Sequence, residues 1–161
     1  MVVIRQAAVA DAPILQQMMR AAFREYDAGG TPSSAMNETV ASIQRALKSG
    51  ERAKILYLNN QPVAMVRYEI QQQGLYFYRL AVHPLYRGRG FAKQLLEALE
   101  NDARREGKQL MICRVRQLVS KNIQLYQSRG YHIDQETTVQ LKNHKVIPVA
   151  VMHKTLTDGV V

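Results

Sequence analysis

The chain has 161 residues, 47% of them hydrophobic and 22% charged, which is typical of one soluble globular domain with its own core and excludes a disordered chain. Its formal net charge of +9 favours an anionic partner, such as nucleic acid, an anionic membrane surface or a phosphorylated cofactor. The single cysteine, Cys113, excludes an internal disulfide and a cysteine-based zinc cage. The sequence lacks a membrane-spanning apolar run and a signal-peptide pattern, so a cytoplasmic protein is expected.

The first fifty residues predict one strand followed by two helices. "VVIRQAA" is β-branched and apolar, which favours a strand. Asp11 is then expected to cap a helix, and the glycine-rich "YDAGGTPSS" ends it. A second helix begins at Asn37 or Thr39, since either side chain can cap its first turn.

Three strands follow. "AKILYL" and "VAMVRYEIQQ" flank the turn "NNQP" and predict a β-hairpin. Gly74 then turns the chain into "LYFYRLAV", whose aromatic residues favour a third strand.

The second half alternates helices and strands. A helix is predicted after Gly90, in which apolar residues at helical spacing form a buried stripe. The helix ends at Gly107, and its polar face is exposed to water. The residues predicted to face water are Lys93, Glu97, Glu100 and Arg104. "QLMICRVR" predicts a central strand, and Ser120 is expected to cap a helix through Tyr126. Two strands, "YHIDQETTVQL" and "KVIPVAVMHKTL", end the chain, and the interleaved elements predict an α/β fold with a mixed sheet covered by helices.

The turn between the third strand of this series and the next helix concentrates two arginines and two glycines in "RGRG", residues 87–90. A strand, a glycine-bearing turn and a helix N-terminus form an anion site, because the first N–H groups of a helix point outward. A solvent-exposed basic turn is the alternative. The sequence matches neither a nucleotide P-loop nor the three-glycine dinucleotide fingerprint, where Lys93 occupies the third glycine's place.

The stretch "LAVHPLYRGRGFAKQLLEAL" closely resembles the acetyl-coenzyme A motif of the GNAT superfamily of N-acetyltransferases, [QR]-x-x-G-x-[GA]. The later "NIQLYQSRGY" also matches, and the order of predicted elements is that family's order over nearly the whole chain. The resemblance implies a single N-acetyltransferase domain over residues 1–161. Its fold would be a single mixed sheet of about seven strands with a central splay, flanked by about four helices.

The resemblance also implies roles for particular residues. The pantetheine arm would bond the main chain near Leu80, Ala81 and Val82, and Asn122 would help to hold the cofactor. Tyr126 matches the family's proton donor to the leaving sulfur, with packing on its helix as the alternative. The diphosphate would lie on the N–H groups of Arg87, Gly88, Arg89, Gly90, Phe91 and Ala92, with both arginine side chains supporting the phosphates.

The general base is open at this stage. The position where some family members have a glutamate is Tyr76 here, so Glu69, His83 and ordered water are the candidates. Glu69 could equally be a solvated strand residue, and His83 part of the turn. Tyr68, Tyr76 and Tyr78 are candidates for lining the acceptor pocket, with packing in the sheet as the alternative.

The implied function is direct transfer of an acetyl group from acetyl-CoA to a primary amine of an unidentified small molecule or protein, with no metal. A non-catalytic domain that senses acyl-CoA or binds nucleic acid is the alternative. Nucleic acid is the less expected partner, because the tyrosines fall in apolar strands and not among exposed basic residues. No membrane partner is expected, and homodimerisation, common in the family, stays open.

Overall fold

The computed structural model describes residues 1–24, 34–117, 120–141 and 144–157, with the side chains of residues 34, 35 and 120 left out. These residues hold seven β-strands and four α-helices. The strands are β1 Val2–Gln6, β2 Arg52–Leu58, β3 Gln61–Ile70, β4 Leu75–Val82, β5 Leu110–Arg116, β6 His132–Gln140 and β7 Val146–Thr155. The helices are α1 Ala12–Phe23, α2 Val40–Lys48, α3 Phe91–Arg105 and α4 Ser120–Ser128.

The seven strands form one mixed sheet in the order β1-β2-β3-β4-β5-β7-β6. β1 with β2, β2 with β3, β5 with β7 and β6 with β7 are antiparallel. β4 joins β5 in parallel, pairing Leu75 with Met111 and Tyr76 with Ile112. The predicted mixed α/β sheet and the interior position of β5 are confirmed.

Local sequence signals explain several boundaries. Thr39 caps α2 by accepting a hydrogen bond from the Ser42 N–H at 3.0 Å, which decides between the two predicted caps. Asn59 and Asn60 turn the β2–β3 hairpin with φ of 50° and 70°, values that asparagine tolerates better than most residues. The predicted loop "YDAGGTPSS" lies outside the described residues, apart from its last serine.

The chain divides into two compact units, one comprising Met1–Glu69 with Phe77–Leu99 and the other Ile70–Tyr76 with the residues from Glu100 onward. In the first unit, α1 and α2 bury an apolar cluster against β2, β3 and β4. Its buried members are Ala12, Leu15, Met18, Met19, Ala22, Ile43, Ala53, Ile55, Met65 and Ala81. The buried residues of α1 in this cluster form the apolar face of that helix.

The second unit has its own buried side chains on β5, β7 and α4, namely Met111, Cys113, Val115, Tyr126, Ile147, Val149, Ala150 and Met152. Burial raises the pKa of the Cys113 thiol, so the side chain stays protonated. None of the described helices combines the length and apolarity that crossing a bilayer requires.

Candidate active site

The end of β4 leads directly into the arginine–glycine turn. The His83 N–H donates to the Val63 carbonyl at 2.9 Å, which ties the strand end to β3. A short 3₁₀ turn, Pro84–Tyr86, follows, and the Leu85 N–H donates to His83 Nδ1 at 3.2 Å. The chain therefore enters the turn from a backbone that is fixed on the sheet.

Gly88 and Gly90 shape this turn. Both have positive φ, 79° and 81°, which a residue with a Cβ adopts only under strain. A Cβ built at either one meets no atom of the described residues within 4 Å, so the backbone is open to an approaching group. The first helical bond of α3 runs from the Gln94 N–H to the Gly90 carbonyl at 3.1 Å. The preceding N–H groups at the helix start have no acceptor inside the helix, which is the geometry of an anion site.

The two arginines of the turn have protein partners. Arg87 Nη2 donates to the Ala22 carbonyl in the last turn of α1 at 3.0 Å. The Arg89 guanidinium lies over the Tyr86 ring, 5.3 Å from its centroid. Both residues remain exposed. Their predicted support of the phosphates stays a prediction.

The predicted pantetheine-binding stretch, Leu80–Val82, lies at the C-terminal end of β4. Arg79, directly before it, has φ of 55° in the middle of a strand, which interrupts the regular pleat. A non-glycine residue in this region is uncommon and marks a place where the strand changes its course.

The two candidate bases differ in their geometry. Neutral His83 carries its proton on Nε2, because Nδ1 accepts the bond from the Leu85 N–H. Its free nitrogen is therefore a donor. Glu69 lies on β3, where its Oε1 is 3.4 Å from the Tyr78 hydroxyl.

A buried polar cluster surrounds that hydroxyl, and sequence reasoning missed most of it. Tyr78 donates to Glu51 Oε1. Arg67 binds Glu51 through Nε and Nη2, at 2.7 and 3.0 Å, and donates from Nη1 to Glu38 at 2.7 Å. Arg79 Nε also donates to Glu38, at 3.0 Å. The one local signal of a buried polar contact was Arg67 itself, an arginine inside the otherwise apolar stretch "PVAMVRY".

In the second unit, Asn122 and Tyr126 lie on α4 four residues apart, so they share a helix face. Tyr126 is 6% exposed, and its ring centroid is 5.9 Å from that of Tyr131. The Tyr131 hydroxyl donates to Glu100 Oε2 at 3.0 Å, and Lys154 Nζ donates to Glu100 Oε1 at 2.9 Å. Burial and the Glu100 carboxylate raise the pKa of Tyr131, so its hydroxyl stays a donor.

Glu100 was predicted to face water, and this prediction was wrong. Its residue is 4% exposed, because Tyr131 and Lys154, 31 and 54 positions away in the chain, cover it. The helical stripe was correct for Leu95, Leu96 and Leu99, which are fully buried.

The predicted site residues thus fall into two groups. The first unit holds Glu69, the strand end Leu80–Val82, His83 and the turn Arg87–Ala92, and the second holds Asn122 and Tyr126. In the described part of the chain, no three His, Cys, Asp or Glu side chains are arranged to hold a metal ion.

A mixed sheet whose β4 leads through a glycine turn into a helix N-terminus defines a protein of the α/β class. The model of the GNAT family of acetyltransferases matches residues 15–131, which is most of the chain. The chain therefore belongs to the GNAT acetyltransferase family.

Solved structures show the same fold at low sequence identity. A GNAT-family acetyltransferase from Streptococcus pneumoniae superposes with a TM-score of 0.78 at 19% identity, covering 98% of this chain and 100% of that one. The PaiA N-acetyltransferase of Thermoplasma acidophilum, solved with coenzyme A, gives 0.77 at 15% identity, covering 96% and 99%. The yncA protein of Salmonella typhimurium, solved with its cofactor acetyl-CoA, gives 0.72 at 19% identity, covering 100% and 97%. No curated protein sequence matches the chain.

Proposed function

We propose that this protein transfers the acetyl group of acetyl-CoA directly to a primary amine. The observation that carries the proposal is the turn at Gly88 and Gly90, whose open backbone leads into the N-terminus of α3. A diphosphate would fit there, because a Cβ built at either glycine meets no atom of the described residues within 4 Å and the helix end carries a partial positive charge. Membership of the GNAT family supports acetyl-CoA as the group that brings this diphosphate.

The remaining cofactor roles follow from the same assignment. The main chain of Leu80–Val82 would bind the pantetheine arm as an added strand does, and its N–H groups would stabilise the oxyanion of the tetrahedral intermediate. Asn122 would hold the cofactor from α4. The exposed forks of Arg87 and Arg89 would reach the phosphates beyond their present partners.

Tyr126 is the proposed proton donor to the departing sulfur. The pKa of a phenol is about 10 and that of a thiol about 8.5, so full proton transfer at reference values is uphill by roughly 2 kcal/mol. A hydrogen bond from the hydroxyl to the developing thiolate avoids this cost and still stabilises the leaving group. The candidates from sequence for the base that takes the proton of the amine are Glu69, His83 and ordered water.

The test of the function is consumption of acetyl-CoA over a panel of amines, with the released thiol as the readout. The panel includes alkylamines, amino acids, aminoglycosides and peptides with a free N-terminus. Thiol release that depends on one class of amine supports the proposal. A parallel melting experiment compares coenzyme A with an oligonucleotide, and selective stabilisation by the oligonucleotide would instead favour a nucleic-acid-binding domain.

The site itself is tested by Gly90→Glu, with Gly107→Glu as the matched control. Both glycines have positive φ, 81° and 73°, and both are open, but Gly107 follows the other end of α3. The backbone strain is therefore similar, while only the first variant places a carboxylate at the proposed diphosphate site. Calorimetry should show that Gly90→Glu abolishes acetyl-CoA binding and that Gly107→Glu retains it. Equal affinities of the two variants would refute the site.

A further inference from the structure

The polar cluster in the first unit centres on the Tyr78 hydroxyl. Its oxygen donates to Glu51 and lies 3.4 Å from Glu69 Oε1. A phenol has one proton, so it can serve only one of these two carboxylates at a time. The proton of the Tyr78 hydroxyl can therefore change its acceptor at this contact, and Glu69 is the second carboxylate beside it.

Glu51 and Tyr78 are both held in position by Arg67. The Arg67 and Glu51 side chains are 3% and 6% exposed, and their two-pronged ion pair fixes the plane of the carboxylate. The Arg67 guanidinium also lies over the Tyr78 ring at 5.6 Å and contacts Met19 Sδ on α1 at 3.7 Å. The β2–β3 register places Arg67 opposite Ala53, two residues after Glu51. Arg67, Glu69 and Tyr78 thus lie on strands, and Glu51 directly precedes one.

The charged groups of the cluster come from several elements, and Arg67, Glu51 and Glu69 contact Tyr78 directly. β3 supplies Arg67 and Glu69, β4 supplies Arg79, and Glu51 and Glu38 precede β2 and α2. Burial raises the pKa of Glu51, and its bonds with Arg67 oppose the rise. Glu51 is therefore a stronger base than a carboxylate in water.

The position along β4 connects the cluster with the proposed chemistry. Tyr78 lies two residues before Leu80, a distance of about 7 Å along a strand. The glycine turn proposed to bind the diphosphate follows the C-terminal end of β4. A pantetheine arm that runs back along the strand from this turn would bring its thioester toward Tyr78. Arg79, with its positive φ, lies between them and turns the strand at this point.

We propose that Tyr78 Oη binds the acceptor amine and that Tyr78 and Glu51 together remove its proton. The inference rests on the proposed function and names its base. The ammonium N–H passes its proton to the Tyr78 oxygen, while the Tyr78 O–H proton moves to Glu51 Oε1. The neutral nitrogen attacks the thioester carbonyl, and the C–S bond breaks as the thiolate accepts a hydrogen bond from Tyr126. The nitrogen then releases its second proton to water, which leaves a neutral amide. Glu51 then returns its proton to water, and the substrate class is a primary alkylamine that is cationic at pH 7.

Tyr78→Phe tests the proposal, because it removes one oxygen and keeps the ring against Arg67. Tyr57→Phe is the matched control, since it removes the same atom from a β2 tyrosine that packs against Arg5. The most active alkylamine of the panel is used, and kcat/KM is measured from pH 7 to 9. An alkylamine with a pKa of about 10.4 is neutral about once in a few thousand molecules at pH 7, and this fraction rises about tenfold per pH unit.

The expected wild-type profile is nearly flat over this range, because the enzyme removes the proton itself. Tyr78→Phe should lose about 100-fold at pH 7 and regain about tenfold per pH unit, since it must use amine that is already neutral. Its affinity for coenzyme A should stay within about twofold of wild type, and Tyr57→Phe should follow the wild-type profile. Parallel profiles of Tyr78→Phe and wild type, or an undiminished rate at pH 7, would overturn the inference.

Glu51→Gln gives a second measurement with the same expected pH dependence, because glutamine still accepts the Tyr78 bond but takes no proton. If Glu51→Gln does not fold, Tyr78→Phe decides alone. Absence of thiol release by the wild-type enzyme with every amine contradicts the proposed function, whereas turnover that does not depend on Tyr78 contradicts only this assignment.

Discussion

Replacement of Arg67 by methionine should destabilise the protein in a way that depends on pH. The guanidinium is 3% exposed and makes two bonds to Glu51, whose side chain is 6% exposed, and one to Glu38. Methionine replaces the aliphatic stem of the arginine side chain and suits the apolar neighbour Met19. What the variant lacks is the guanidinium cation, so that among the described residues Glu51 is left as a buried carboxylate with the bond from Tyr78.

Breaking a buried ion pair by removal of one partner costs about 3–5 kcal/mol. Because Tyr78 still donates to Glu51, we expect a loss of about 3 kcal/mol at pH 8, at the lower end of this range. A domain of this size loses about 2–4 °C of Tm per kcal/mol, so Tm should fall by about 6–12 °C.

The pH dependence follows from the direction of the pKa shift. Burial raises the pKa of Glu51 above its ordinary value of 4.5 even with Arg67 present, and loss of Arg67 raises it further. A group with a raised folded-state pKa contributes stability that is fully present below the unfolded value and is lost as pH rises through the folded value. The difference in free energy of unfolding between variant and wild type should therefore be smaller at pH 5 than at pH 8.

Urea unfolding at pH 5 and pH 8 measures this difference, and the double variant Arg67→Met with Glu51→Gln is the control. Glutamine cannot be left charged, so the double variant should recover most of the loss at pH 8 and show little dependence on pH. A single-variant loss below about 1 kcal/mol at pH 8, as for a surface pair, would refute the reasoning. An equal loss at both pH values would also refute it.

Three further predictions concern other parts of the molecule. Gly74→Ala places a Cβ 2.1 Å from the Leu110 carbonyl oxygen, so it should lower the free energy of unfolding by about 3 kcal/mol or more in a urea titration, and a loss below 1 kcal/mol would contradict the contact. Tyr126→Phe should reduce kcat with little change in the KM for acetyl-CoA, and equal turnover on a confirmed substrate would remove its proposed role. Arg89→Ala should weaken acetyl-CoA binding and flatten its dependence on salt, and an unaltered salt slope would mean that this guanidinium does not meet the phosphates.

Most of the fold is encoded in local patterns that can be recognised without the structure. The sequence of β4, "LYFYRLAV", is the strand itself, and Asn59 and Asn60 mark the hairpin turn by residue type alone. Gly107 ends α3 because its φ of 73° is one that glycine adopts freely. These features depend on residues close together in the chain, and so they were predicted. The neighbours of β7, which lies between β5 and β6, depend on pairings between distant segments.

The polar cluster shows what local patterns leave out. Arg67 contacts Glu51 and Glu38, which are 16 and 29 positions away. Its apolar sequence neighbours indicate a buried arginine, but they do not indicate which carboxylates it contacts. Glu69 was a candidate base because it is a carboxylate on β3. Its neighbour Tyr78 was a candidate only for lining the acceptor pocket, with packing in the sheet as the alternative. The bonds to Tyr78 arise only when β3, β4 and the start of β2 are brought side by side.

Backbone strain escaped prediction for a related reason. Arg79 has a positive φ in the middle of β4, which its residue type does not indicate. At Gly88 and Gly90 the glycine itself indicates a positive φ. The glycine turn could therefore be predicted from the sequence. The irregular backbone of β4 at Arg79, beside the proposed position of the thioester, could not.

A crystal structure of the protein with coenzyme A tests the central claim most directly. The account predicts that the diphosphate oxygens lie within hydrogen-bonding distance of the backbone N–H groups of residues 87–92, at the start of α3. A coenzyme bound with its diphosphate at any other place, or crystals grown with saturating coenzyme A in which this turn holds no ligand, would contradict the account.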